Sequence, residues 1–323
     1  DHAFENSTAL VEVVIPEYVT SIGECAFEGC SLLSRINLDG ISSLGPGAFS
    51  GCGFSSFTVP ASVTHVPDRL LSGCKKLTDI DFSGAVSFGD GIFSGCTSLA
   101  KIVLPQTMTD VGKEMFSGCT SLKDVTFGSE VKSVGEAAFS GCTSLVSITW
   151  PSGVTEIEDS TFDGCTLLSS IIGLTSESYV VSIGERAFAD CSELSLIIIP
   201  SAVSSVGKEA FSGCSSVESI ALPAGIKEIP DGLFDGCTSL KSVTLLGNVV
   251  TIGKEAFRDC TQISSVLLGN ALVSIGGAAF ENCVRLSTVS LPASLAYIGE
   301  NAFSGCTKLD KIVIPSKITT LPA

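Results

Sequence analysis

The sequence predicts a mostly-β repeat solenoid, and three observations carry that reading. The phrase "FSGCTSL" stands at 93–99, 116–122 and 139–145, three identical copies at even spacing. An anchor residue recurs in the same register along the whole chain, from Phe4, Phe27, Phe49 and Leu71 to Phe280 and Phe303. Between anchors lies a short alternation of apolar and polar residues, the mark of a strand with one buried face. The spacing of anchors is nearly constant, with one long step from Phe162 to Phe188. A unit this short cannot bury its own apolar side chains, so copies must stack and share one core.

Each stretch of the unit F-x-G-C-[TS]-x-L-x-x-I-x-L-P-x-x-V-x-x-I-G-x-x-A has a physical role. In Leu99, Ile102 and Leu104 the first strand places alternate side chains inward. Proline follows at eight such places, Pro105 and Pro200 among them; without an N–H it ends the strand. Val203, Val206 and Gly207 illustrate the next segment, a second apolar pair before a glycine turn. The A-F-x-G-C stretch then supplies a small residue, a large plug and another tight turn. Trp150 occupies an inward strand position and is expected in the core.

Thirteen of the 14 cysteines share one position of the unit, from Cys30 to Cys306, with Ser7 there in the first repeat. Zinc sites use close pairs such as C-x-x-C, and no such spacing occurs. Stacked equivalents lie within disulfide reach, but parallel side chains suit the required dihedral poorly. The column is therefore expected to be buried thiols acting as small apolar residues. Cys25, in "GECAF", falls outside that column. It reads either as a partly exposed thiol or as a link to a partner or neighbouring repeat.

Signs of catalysis, cofactor binding or metal binding are missing. Only His2 and His65 are histidines, no serine sits in G-x-S-x-G, and the carboxylates form no paired or calcium-loop motif. A net charge of −16 argues against nucleic acid, whose binding needs a basic footprint. It equally disfavours an anionic membrane surface, and no apolar run is long enough to span a bilayer.

The pattern Cys-x-x-Leu-x-x-Ile-x-Leu-Pro, followed by Ile-Gly-x-x-Ala-Phe, resembles the BspA-like class of leucine-rich repeats over essentially all 323 residues. That resemblance implies an α/β-type, mostly β repeat protein. Its fold would be a right-handed leucine-rich-repeat solenoid with a parallel β-sheet on the concave face. The array would hold about 14 repeats, each of roughly 22–26 residues. It implies a single array over 1–323. Both ends keep the core pattern, at Leu10, Ile15, Ile312 and Ile314, where a polar cap is usual; a fragment of a longer protein is expected.

The resemblance also implies a non-enzymatic protein-interaction module of a cell-surface or secreted adhesin. Its ligand would be a host or microbial protein, such as an extracellular-matrix or other surface protein. The alternative is an intracellular scaffold in the cytoplasm recruiting a partner protein, which many reduced thiols would suit. A glycan receptor is a third reading, weakened by a face nearly free of aromatic rings.

Residues flanking the inward isoleucine of each first strand point outward, and most are small and polar. The exception is a run of Ile172, Leu196 and Ile198 on two successive coils. It coincides with the only insertion, "GLTSESYVV", which carries Leu174 and Tyr179. These five residues are the candidate partner-binding site. A competing reading has Leu174 and Tyr179 folding over Ile172 and Ile198 to repair an irregular coil.

Overall fold

A computed structural model describes residues 1–82, 84–245 and 248–321. The chain is a mostly-strand parallel β-solenoid of about 12 turns. It divides into two compact units, Asp1–Gly153 and Val154–Ala323. No helix occurs among the described residues. The α-side of the expected class is filled by turns, because the connecting stretch of each short unit is closed by glycine and left-handed residues.

Most coils contribute two strands of two or three residues. In the first unit the L-x-x-I-x-L strands pair in parallel, as Ser56–Thr58 with Asp79–Asp81 and Lys101–Val103 with Asp124–Thr126. The V-x-x-I strands form a second row, as Asp110–Val111 with Ser133–Val134. In the second unit the first row runs through Ser219–Ala221, Ser242–Thr244, Ser265–Leu267 and Thr288–Val289. The second row includes Glu156–Ile157, Ser182–Ile183 and Ser205–Val206. Register is pinned because a one-residue slip would turn every buried residue to solvent.

A third row, made of turns, joins the coils along the A-F-x-G-C stretch. The N–H groups two places before the anchor, at the anchor and two places after it all donate to the following coil. Glu209, Phe211 and Gly213 donate to Asp231, Leu233 and Asp235 carbonyls at 3.0, 3.1 and 2.7 Å. Presenting three N–H groups on one side requires left-handed backbone at both flanking positions. Two places after the anchor stands glycine in most coils, with φ near 70° in Gly95, Gly141 and Gly236. Elsewhere it is Asn6, Asp190, Asp259 or Asn282, the side chains that best tolerate this region.

Two columns run through the core. Anchor phenylalanines stack nearly parallel, at 5.2–5.7 Å between ring centres from Phe162 through Phe188, Phe211, Phe234 and Phe257 to Phe303. Beside them run the thiols, and no disulfide joins the described cysteines. The Cys237 Sγ–H donates to the Phe211 carbonyl at 3.2 Å. That oxygen also accepts the Cys214 N–H of its own coil at 3.3 Å. The same contact recurs from Cys52 to Phe27 and from Cys283 to Phe257. The cysteine is thus a small apolar residue with a weak donor that bridges coils. Burial pushes these thiols up, to about 12 in Cys74, Cys119 and Cys237. Trp150 is buried, as its strand position implies.

Candidate functional site

The long step from Phe162 to Phe188 changes one row and spares the other two. The third row continues in register, with Arg186, Phe188 and Asp190 N–H groups donating to Lys208, Ala210 and Ser212 at 2.9, 2.8 and 2.7 Å. In the second row Ser182 still pairs with both Glu156 and Ser205. In the first row, residues 195–199 belong to no strand, although their alternation predicts one. The extra residues enter just after Ser170–Ile172. Ser170–Ile172 therefore pairs with the preceding coil alone in that row.

The disengaged face leaves an apolar cavity of about 180 Å³. Its walls include Ile171, Leu174, Ile183, Phe188, Leu194, Ile197 and Phe211. Exposed Ser170, Leu196 and Ile198 stand at its rim. The pocket is open to solvent at that rim, and an apolar side chain entering it would be withdrawn from water against apolar walls.

The five candidate residues separate into two kinds. Ile172, Leu196 and Ile198 are exposed, at 55, 63 and 38%. Leu174 is turned inward and lines the cavity. Tyr179 projects into solvent at 76% exposure and forms no part of the cavity wall. The loop sorts them through its own turn. Gly173 adopts φ 90°, the Ser178 hydroxyl donates to the Gly173 carbonyl at 3.1 Å and the Thr175 N–H donates to the Ser178 hydroxyl at 2.8 Å. Leu174 therefore repairs the coil in part, and the apolar surface stays open.

On the turn face the same coil is clamped. Arg186 Nε and Nη2 donate to Asp163 at 3.1 Å each, and Nη1 donates to Glu209 at 2.7 Å. Asp163, foremost, holds the guanidinium above its ordinary range.

Among the described residues one mixed group of possible metal ligands comes together, His2, Glu24 and Cys25. Their sequence spacing conceals it, since His2 and Cys25 stand two places before successive anchors. The Glu28 carboxylate, accepting from the Cys25 thiol, does most to push that thiol up, to about 11. Desolvation and the charges of Glu24 and Glu5 add to the shift.

The profile described as "BspA type Leucine rich repeat region (6 copies)" matches residues 1–97, 86–175, 172–266 and 227–323. No curated protein sequence matches the chain. Among solved structures, a leucine-rich repeat protein from Bacteroides ovatus ATCC 8483 is 31% identical with a TM-score of 0.75, over 95% of this chain and 79% of that one. One from Eubacterium ventriosum ATCC 27560 is 24% identical with a TM-score of 0.61, over 97% and 84%. A leucine rich cell surface protein from Faecalibacterium prausnitzii A2-165 is 23% identical with a TM-score of 0.50, over 93% and 78%. With its profile matched from end to end, the chain belongs to the BspA-type leucine-rich repeat family, a family of non-enzymatic repeat proteins.

Proposed function

We propose that the chain is the ligand-binding array of a cell-surface or secreted adhesin, and that it holds a protein partner at the open first-row face of the insertion coil. One observation carries the proposal: two successive coils bring together the insertion, the loss of strand pairing and an apolar cavity rimmed by exposed side chains. Interface anchors are apolar or aromatic groups seated in desolvated pockets. A cavity of about 180 Å³ suits one such side chain, with Leu196 and Ile198 at its rim and Ile172 and Tyr179 as further exposed groups of the insertion coil.

The surface location agrees with the Faecalibacterium neighbour, described as a cell surface protein. Many reduced thiols speak less strongly for a cytoplasmic scaffold once they are buried and raised, because oxidants attack exposed thiolates.

The test is binding to immobilised extracellular-matrix and microbial surface proteins by native chain, Ile198→Asp and Leu267→Asp. Leu267 is an outward residue of the same row, 66% exposed and remote from the cavity. Ile198→Asp is expected to weaken binding about tenfold or more and Leu267→Asp to leave it unchanged, with both variants melting like the native chain. Equal binding by all three would place the contact elsewhere.

A further inference from the structure

The turns of the first two coils assemble a different chemistry. His2 and Cys25 hold the same turn position in successive coils, both left-handed with φ of 56° and 49°. The His2 N–H donates to the Glu24 carbonyl at 2.8 Å, and the Cys25 N–H to the Pro46 carbonyl at 2.9 Å. Backbone bonds therefore fix the point from which each side chain leaves. One ring nitrogen of His2, one carboxylate oxygen of Glu24 and Cys25 Sγ all lie within 4.8 Å of one another.

Tetrahedral zinc takes nitrogen, oxygen and sulfur at about 2.0–2.3 Å. Its ligand atoms then stand roughly 3–4 Å apart, a small closure for two exposed side chains and a half-buried thiol. The surroundings match what metal-bound residues usually have. His2 Nδ1 is held by Glu5 Oε2 at 2.7 Å, a carboxylate–imidazole contact of the kind that orients a ring to bind through its other nitrogen. Carboxylates of Glu5, Glu24 and Glu28 surround the thiol and supply negative charge to a dication.

We propose that His2, Glu24 and Cys25 form a site for one zinc-class divalent cation, with water as fourth ligand. A borderline-soft N, O, S donor set favours zinc over calcium or magnesium, which prefer all-oxygen sites. On binding, the thiol proton passes to solvent and a sulfur–metal bond forms, with no change of oxidation state. The bond ties the coil of Phe4 to that of Phe27.

The experiment titrates the full chain with Zn²⁺ by calorimetry, and with Co²⁺ by absorbance, in phosphine-reduced buffer. One equivalent should bind, and Co²⁺ should give sulfur-to-metal charge transfer with tetrahedral d–d bands. Cys25→Ser should abolish the charge transfer, and His2→Ala should weaken binding about tenfold or more. A chain extended before Asp1 should bind equally, because only side chains are used. The proposal fails if affinity is weaker than about 100 μM. It fails equally if Cys25→Ser and His2→Ala bind as the native chain does, or if the extension removes binding, which would assign the metal to the terminal amine.

Discussion

Raising the pH should unfold this protein sharply, and the thiol column sets where. Ten thiols between Cys52 and Cys306 are each raised above the ordinary thiol range by burial. The unfolded chain releases those protons near its own thiol range, while the folded chain keeps them. Between the two ranges the unfolded state binds fewer protons, so stability falls as pH rises. One unit above the unfolded value, each thiol costs about 1.4 kcal/mol. Ten together cost about 14 kcal/mol, the upper end of a domain's net stability. Circular dichroism in reducing buffer should therefore show a steep loss of strand signal as pH approaches about 10. Thiolate absorbance should rise in the same narrow window, because thiols ionise as coils open. A gradual rise of thiolate absorbance with strand signal intact to about pH 11 would refute the reasoning, since it would mean that the column ionises in place.

Three substitutions probe the other columns. Phe234→Ala removes a fully buried ring stacked between Phe211 and Phe257 and should destabilise by about 3–5 kcal/mol in denaturant melts. A loss below about 1 kcal/mol would show that the stack is not a packed core. Gly253→Ala places a methyl 2.6 Å from the Asp231 nitrogen and 2.7 Å from the Pro230 carbonyl carbon. That contact between coils should cost about 1–3 kcal/mol. Gly236→Asn, at a left-handed position that Asn282 already fills, should cost less; the reverse order would overturn the division of glycines into close-approach and left-handed kinds.

Much of the fold is legible in the sequence because its columns are chemically narrow. Phenylalanine in the stack, cysteine beside it and glycine, asparagine or aspartate two places after the anchor each repeat with the period. The second left-handed column is not legible. Its occupants include His2, Cys25, Arg69, Glu114, Ser160 and Arg186, residues with nothing in common. Their conformation is imposed by the third row, which turns each N–H toward the next coil whatever side chain it carries. For that reason Cys25 looks like a stray at a variable position, and its alignment with His2 stays hidden. The insertion is visible as a long step, but the fates of Leu174 and Tyr179 are not. Both are large apolar-bodied residues in one loop, and only the turn closed by Ser178 decides which one is buried. Nor does alternation reveal that 195–199 lacks a strand, because pairing depends on the neighbouring coil's distance.

Three rows per coil also explain how one row can be given up. A solenoid held by a single sheet would fray at an insertion, since the unpaired backbone would lose its only link to the next coil. Here the thiol of Cys191 still reaches the Phe162 carbonyl at 3.2 Å, Phe162 and Phe188 still stack at 5.4 Å, and Arg186 spans Asp163 and Glu209. Two faces keep the coil in place while the third opens. The cavity walls are consequently set mostly by buried neighbours such as Phe188, Phe211 and Ile183, to which the insertion adds Leu174. A partner entering there meets a pocket already formed, and so loses little binding energy to ordering it.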